Sequence, residues 1–187
     1  MEATRRTFFQ AVAALAAAGF HQTPTIAADK KFQWQNGQSP WPMCLDTATL
    51  SKDVPLEKKV DVVAHSEFDA IEPWDRELAA YEETGQSLKE LGASIREKGL
   101  FVPSVIGLWG SLGNTKEDFE SRLEEYHTRL RMIRDIGAEH VQIIPDLKKR
   151  ETFTKDVGAW CYRRISEIAL NEYGLKTGII FLNAVPE

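Results

Sequence analysis

His140-Val141-Gln142-Ile143-Ile144-Pro145-Asp146 and Lys176-Thr177-Gly178-Ile179-Ile180-Phe181-Leu182-Asn183 are two short apolar runs, and a helical segment from Thr154 to Tyr173 separates them. Val141 to Ile144 and Gly178 to Leu182 are almost continuously apolar, as strands buried on both faces of a parallel sheet must be. Parallel neighbours need a crossover of a dozen or more residues. The helix supplies it, with Val157, Trp160, Ile165, Ile168 and Ala169 on one face and Gly174 as its terminator.

The same unit recurs toward the amino terminus. Met43 to Thr47 reads as a strand, and Pro55 to Ala64 as a helix with Leu56, Val60 and Val63 on one face. Phe68 to Pro73 is strand-like, and Leu88, Leu91 and Ile95 form a stripe that stops at Gly99. Leu100 to Ile106 is the third strand, followed by a loop from Gly107 to Asn114. One long helix then carries Phe119, Leu123, Tyr126, Leu130 and Ile133 inward and closes at Gly137. Asn114 or Thr115 caps it, with Glu117 and Asp118 at its positive end.

Five strand–helix units in succession predict an α/β fold. Two architectures satisfy the pattern: a doubly wound open sheet complete with five strands, or a (β/α)8 barrel, which takes about 250 residues and would be cut after its fifth strand. No Gly-x-Gly-x-x-Gly follows the first strand, and the loop holding Gly107, Gly110 and Gly113 lacks the lysine of a phosphate loop.

The chain has 187 residues, 43% hydrophobic and 27% charged, with a formal charge of −5. This acidic balance disfavours sequence-independent nucleic-acid binding. The short basic clusters Lys58-Lys59 and Lys148-Lys149-Arg150 read as solvated faces. Cys44 and Cys161 are too few for a disulfide scaffold and fit no paired zinc-ligand spacing; both read as packed, Cys44 in its strand and Cys161 in its helix.

Thr4-Arg5-Arg6-Thr7-Phe8-Phe9 leads into an Ala-rich apolar run ending at Gly19, too short for a stable membrane span. This segment resembles a twin-arginine signal, with cleavage expected after Ala28. Residues 1–28 are therefore expected to be a signal peptide that engages the twin-arginine export machinery and delivers the chain to the periplasm. Residues 29–41 are expected to be a polar linker.

From Trp41 onward, Met43-Cys-Leu-Asp-Thr47, Phe68-Asp-Ala-Ile-Glu-Pro-Trp74, the segment 93–102, Gly137-Ala-Glu-His-Val-Gln-Ile-Ile144 and Glu172-Tyr-Gly-Leu-Lys176 follow in order. This succession resembles the xylose isomerase-like TIM barrel family of sugar phosphate isomerases and epimerases. The resemblance implies that residues 42–187 form a partial barrel of about five strand–helix units, in an incomplete member of that lineage. It implies metal-assisted proton transfer on a sugar, with Mn, Mg or Co held by a fifth-strand Glu and later ligands. At that position stands Ile180, whose alkyl side chain cannot ligate a hard cation. The chain is accordingly expected to be inactive or incomplete as it stands; the alternative is a non-catalytic exported carbohydrate-binding or interaction protein.

His65, His127 and His140 map away from the carboxyl ends of the strands, where barrel chemistry occurs. At those ends stand Asp46, Thr47, Glu72, Trp74, Trp109, Asp146, Asn183 and Glu187. Carboxylates that bond hydroxyls beside indoles that stack on C–H faces suit a sugar. The expected substrate-binding residues are Glu72, Trp109, Asp146, Asn183 and Glu187, with no catalytic or metal-binding residue assigned. A homo-oligomer is expected to cover the open strand edges.

Overall fold

A computed structural model describes residues 33–145 and 153–180. The expected signal peptide, the start of the linker, and the expected site residues Asp146, Asn183 and Glu187 lie outside the described residues. Among the described residues there are five strands: β1 (Cys44–Asp46), β2 (Ala70–Glu72), β3 (Ser104–Trp109), β4 (His140–Ile144) and β5 (Lys176–Ile179). The helices are α1 (Leu56–Ala64), α2 (Asp75–Glu83), α3 (Leu88–Glu97), α4 (Lys116–Ser121), α5 (Leu123–Asp135) and α6 (Lys155–Tyr173).

Every strand pairing is parallel: β1 with β2, β3 with β4, and β4 with β5. Two parallel bridges, Ala70 with Phe101 and Trp74 with Ile106, join β2 to β3. Between those bridges β3's side of the pair has one more residue than β2's, and neither Pro73 nor Pro103 has an N–H to donate, so the ladder there is interrupted. The strand order is therefore sequential. A doubly wound sheet reverses its order and carries helices on both faces. Here Ile71, Val105, Val141 and Ile143 meet apolar residues of all six helices in one core. The chain is a partial (β/α)8 barrel with helices outside, and the residues alternating with those core positions lie on the opposite, inner face.

The helices follow their apolar stripes. Leu56, Val60 and Val63 of α1, and Leu88, Leu91 and Ile95 of α3, are buried. Thr154 caps α6 by accepting from the Val157 N–H, and Gly174 ends it in the left-handed region at φ 70°.

Three expectations are corrected. First, the single long helix is two, broken at Arg122, where the Nη2 group donates to the Trp109 carbonyl (2.9 Å) and the guanidinium also pairs with Glu125. The Thr115 cap holds, its hydroxyl accepting from Asp118 N (3.0 Å). Second, β3 extends through Gly107 to Trp109, with an irregularity at Leu108, whose φ is 51°. A Cβ on Gly107 would lie 2.7 Å from the Asp75 Cβ, so glycine lets α2 close on the strand. Third, α2 is an additional helix. Of its nine residues only Asp75 and Leu78 are buried, so its apolar stripe is too sparse to stand out in the sequence.

Candidate functional site

The carboxyl ends of β1 and β2 lie side by side, because the register sets Cys44 against Ala70 and Asp46 against Glu72. Alternation along a strand then puts Cys44, Asp46 and Glu72 on one face. Asp46 takes two donors on Oδ1: the Ala48 N–H at 2.8 Å and the Trp74 indole N–H at 2.8 Å. Glu72 accepts the Ser104 hydroxyl of β3. Burial pushes the Glu72 carboxyl above its ordinary range and the Asp46 charge adds to that, while the Ser104 hydrogen bond opposes it.

Cys44 is exposed, which corrects the reading of it as a buried strand residue. Its side chain belongs to the inner face, where no helix covers it. The thiol is nonetheless pushed up to about 12, by local desolvation first and then by the Glu72 and Asp46 charges, so it stays protonated and is no nucleophile. Cys161 is buried in the core, as expected.

The two expected indoles meet. Trp74 stacks on Trp109 with ring centroids 6.0 Å apart and planes 24° from parallel, and the Arg76 guanidinium lies over the Trp74 ring at 4.4 Å. Trp74 is thus a bracket, with its N–H on Asp46 and its ring on Trp109. Trp109 also lines a cleft of about 380 Å³ between α2 and α5, together with Asp75, Arg76, Ala79, Arg129 and Met132.

Behind the rim runs a polar network. Lys59, read from sequence as solvated, is 2% exposed; its ammonium donates to Glu77 Oε1 (2.7 Å) and to the Thr47 carbonyl (3.0 Å). The helical face that buries Val60 and Val63 carries Lys59 inward with them. Glu77 Oε2 accepts the Trp74 N–H (2.9 Å) and the Thr47 hydroxyl. Buried Asp75 pairs with Arg129 of α5 at 2.5 Å. Burial raises the Asp75 carboxyl more than Arg129 lowers it. Sequence reasoning missed Lys59, Asp75, Glu77, Ser104 and Arg129. One signal was available: a Glu three residues after Trp74, the spacing of the acidic half of a capping box.

The histidines lie where the sequence placed them. His65 caps the end of α1, His127 sits within α5 and bonds the Tyr173 hydroxyl (2.8 Å), and His140 opens β4 against the Pro103 carbonyl (3.2 Å).

An arc of parallel strands in sequential order, with helices outside and acidic and indole side chains at its carboxyl ends, defines the class: a partial (β/α)8 barrel. No protein-family model matches the sequence, and no curated protein matches it. Solved structures do. The chain is similar to a xylose isomerase domain containing protein from Salmonella typhimurium, with TM-score 0.65, 13% identity, and 77% of this chain and 51% of that one covered. It is similar to the IolI protein solved with a zinc atom, with TM-score 0.64, 15% identity and coverage of 74% and 51%. It is also similar to the apo form of 3-keto-D-glucoside 4-epimerase, YcjR, from E. coli, with TM-score 0.55, 16% identity and coverage of 78% and 57%. The fold is that of the xylose isomerase-like TIM barrels, and the chain spans about half the length of these structures.

The described residues do not fit a divalent metal. Among them no group of three or more His, Cys, Asp or Glu side chains is gathered for an ion. Asp46 Oδ1 and Glu72 Oε1 already accept hydrogen bonds, which leaves one carboxylate oxygen on each. Ile180, just past β5, has no donor atom on its side chain, whereas a hard cation takes about six oxygens. Among the described residues no helix is long and apolar enough to cross a membrane.

Proposed function

We propose that this chain binds a sugar or sugar derivative at the carboxyl end of an isomerase/epimerase-type barrel. The observation that carries the reading is the meeting of Asp46 and Glu72 at the ends of two paired strands, beside the stacked Trp74 and Trp109. Two carboxyls offer acceptors to ligand hydroxyls, and the indoles offer an apolar surface to C–H groups. The proposal extends to Asp146, Asn183 and Glu187, which the sequence expects at the carboxyl ends of later strands. The isomerase and epimerase names among the similar structures support a sugar as the ligand class.

The test is a calorimetric titration of the purified chain with ketoses, aldoses and their phosphates. Saturable binding that Glu72→Ala and Trp109→Ala each weaken is expected; absence of binding across the panel overturns the reading.

Ile180 favours a binding protein over a catalyst. The isolated chain is expected to show no exchange of sugar C–H with deuterium from D₂O above the buffer rate, with or without Mn²⁺. Ile180→Glu is expected not to restore exchange, because one added carboxylate leaves a hard cation short of ligands. Metal-dependent exchange in the unmodified chain would overturn this.

The proposal includes export. A reporter fused after Ala28 is expected in the periplasm, and Arg5→Lys with Arg6→Lys is expected to hold it in the cytoplasm. It also includes a homo-oligomer covering the outer edges of β1 and β5, which sedimentation of the mature chain would reveal.

A further inference from the structure

The four residues Trp74-Asp75-Arg76-Glu77 follow β2 after Pro73 and form the entry to α2. Trp74, Asp75 and Glu77 each reach other elements, and Arg76 covers Trp74. Trp74 holds Asp46 of β1 and stacks on Trp109 of β3. Asp75 holds Arg129 of α5 and packs where Gly107 of β3 has no side chain. Arg76 lies over the Trp74 ring. Glu77 takes the Thr47 hydroxyl, the Trp74 N–H and the Lys59 ammonium, and Lys59 reaches on to the Thr47 carbonyl.

We infer that Glu77, braced by Lys59, is a positioning residue: it locks the turns after β1 and β2 together and so aims Asp46 and Trp74 at a bound ligand. Thr47 is the residue after Asp46, and Trp74 is two after Glu72, so one carboxylate controls the backbone at both strand ends. Stability alone does not call for this pair. Exchanging a buried ion pair for apolar residues of similar volume is often neutral or favourable, so a fully buried lysine is better accounted for by the geometry it imposes. The inference deepens the sugar-binding reading and rests on it for the nature of the ligand.

The experiment uses the full 187-residue chain with Thr47→Val, Glu77→Gln and Lys59→Met. Two readouts are taken on each variant: the Trp74 indole N–H resonance in a ¹⁵N spectrum, identified by its loss in Trp74→Phe, and the affinity for the best-bound sugar of the panel. The Trp160 indole, edge-on to buried Phe119 at 5.5 Å and packed against the core, serves as the internal reference. Thr47→Val keeps the shape and removes one hydroxyl, so it is expected to disturb folding less than Lys59→Met does.

In Thr47→Val and Glu77→Gln the Trp74 resonance is expected to shift while that of Trp160 stays. Affinity is expected to fall about fivefold, the scale of one lost hydrogen bond. Folded variants with an unmoved Trp74 resonance and unchanged affinity overturn the inference, even if their melting temperatures fall. If the unmodified chain binds no sugar, the functional reading fails, and the Trp74 resonance alone decides whether Glu77 positions the rim.

Discussion

The Trp74 indole N–H donates to Asp46 Oδ1 over 2.8 Å, tying together the ends of two neighbouring strands that lie 28 residues apart in the chain. Phe at position 74 keeps a ring for Trp109 and removes the donor. Trp74→Phe is expected to lower unfolding stability by about 2 kcal/mol, the range for a hydrogen bond to a charged acceptor. Urea unfolding at pH 7 checks it, and an unchanged midpoint with unchanged slope would show that the bond contributes nothing.

Glu72 is held above its ordinary carboxyl range chiefly by burial. Between its unfolded and folded pKa the folded state holds more protons, so stability falls as pH rises through that window. Glu72→Gln, which cannot ionise, is expected to flatten this slope: the variant compares worse with the unmodified chain at pH 4 than at pH 7. Ser104→Ala removes the opposing hydrogen bond and should move Glu72 higher still, as ¹³C carboxyl titration would show. A lower Glu72 pKa in Ser104→Ala would contradict the assignment.

Cys44 is open to reagent yet protonated, its thiol standing near 12 against an ordinary 9.0. At pH 8 its alkylation by iodoacetamide is expected to be slower in the folded chain than in urea by about two to three orders of magnitude, following the thiolate fraction. Asp46→Asn and Glu72→Gln each remove a repelling charge and are expected to speed it. Equal rates for the folded and unfolded chain would refute this.

Gly92 of α3 packs on the end of α5. A Cβ there would lie 2.9 Å from the Ile136 carbonyl carbon and closer still to its oxygen, and backbone cannot swing aside as a side chain can. Alanine favours helices, yet Gly92→Ala is expected to destabilise by about 2 kcal/mol through overpacking. Thermal unfolding checks the sign, and a gain in melting temperature would place the two helices further apart than described.

The alternation of strand and helix was legible because it is written in local periodicity. Val141 to Ile144 and Leu88-Leu91-Ile95 announce their elements without reference to the rest of the chain. The same residues left two sheet architectures open, since spacing does not encode strand order; the bridges from Ala70 to Phe101 and from Trp74 to Ile106 decide it. Helix α2 escaped because polar residues hold much of it in place. Asp75 and Glu77 find their partners in Arg129 and Lys59, at distances along the chain that no local pattern reports.

Sequence alone determined that this chain builds parallel strand–helix units and that acidic and indole side chains stand at the carboxyl ends of its strands, because those positions follow from where each apolar run stops. Only the tertiary structure decided which of them meet. Register sets Asp46 beside Glu72, the irregularity at Leu108 lets Trp109 end β3 against Trp74, and burial turns Lys59 from a surface charge into the brace of Glu77. Hydrogen bonding and desolvation depend on a few ångströms between segments distant in sequence, and those distances exist only once the chain has folded.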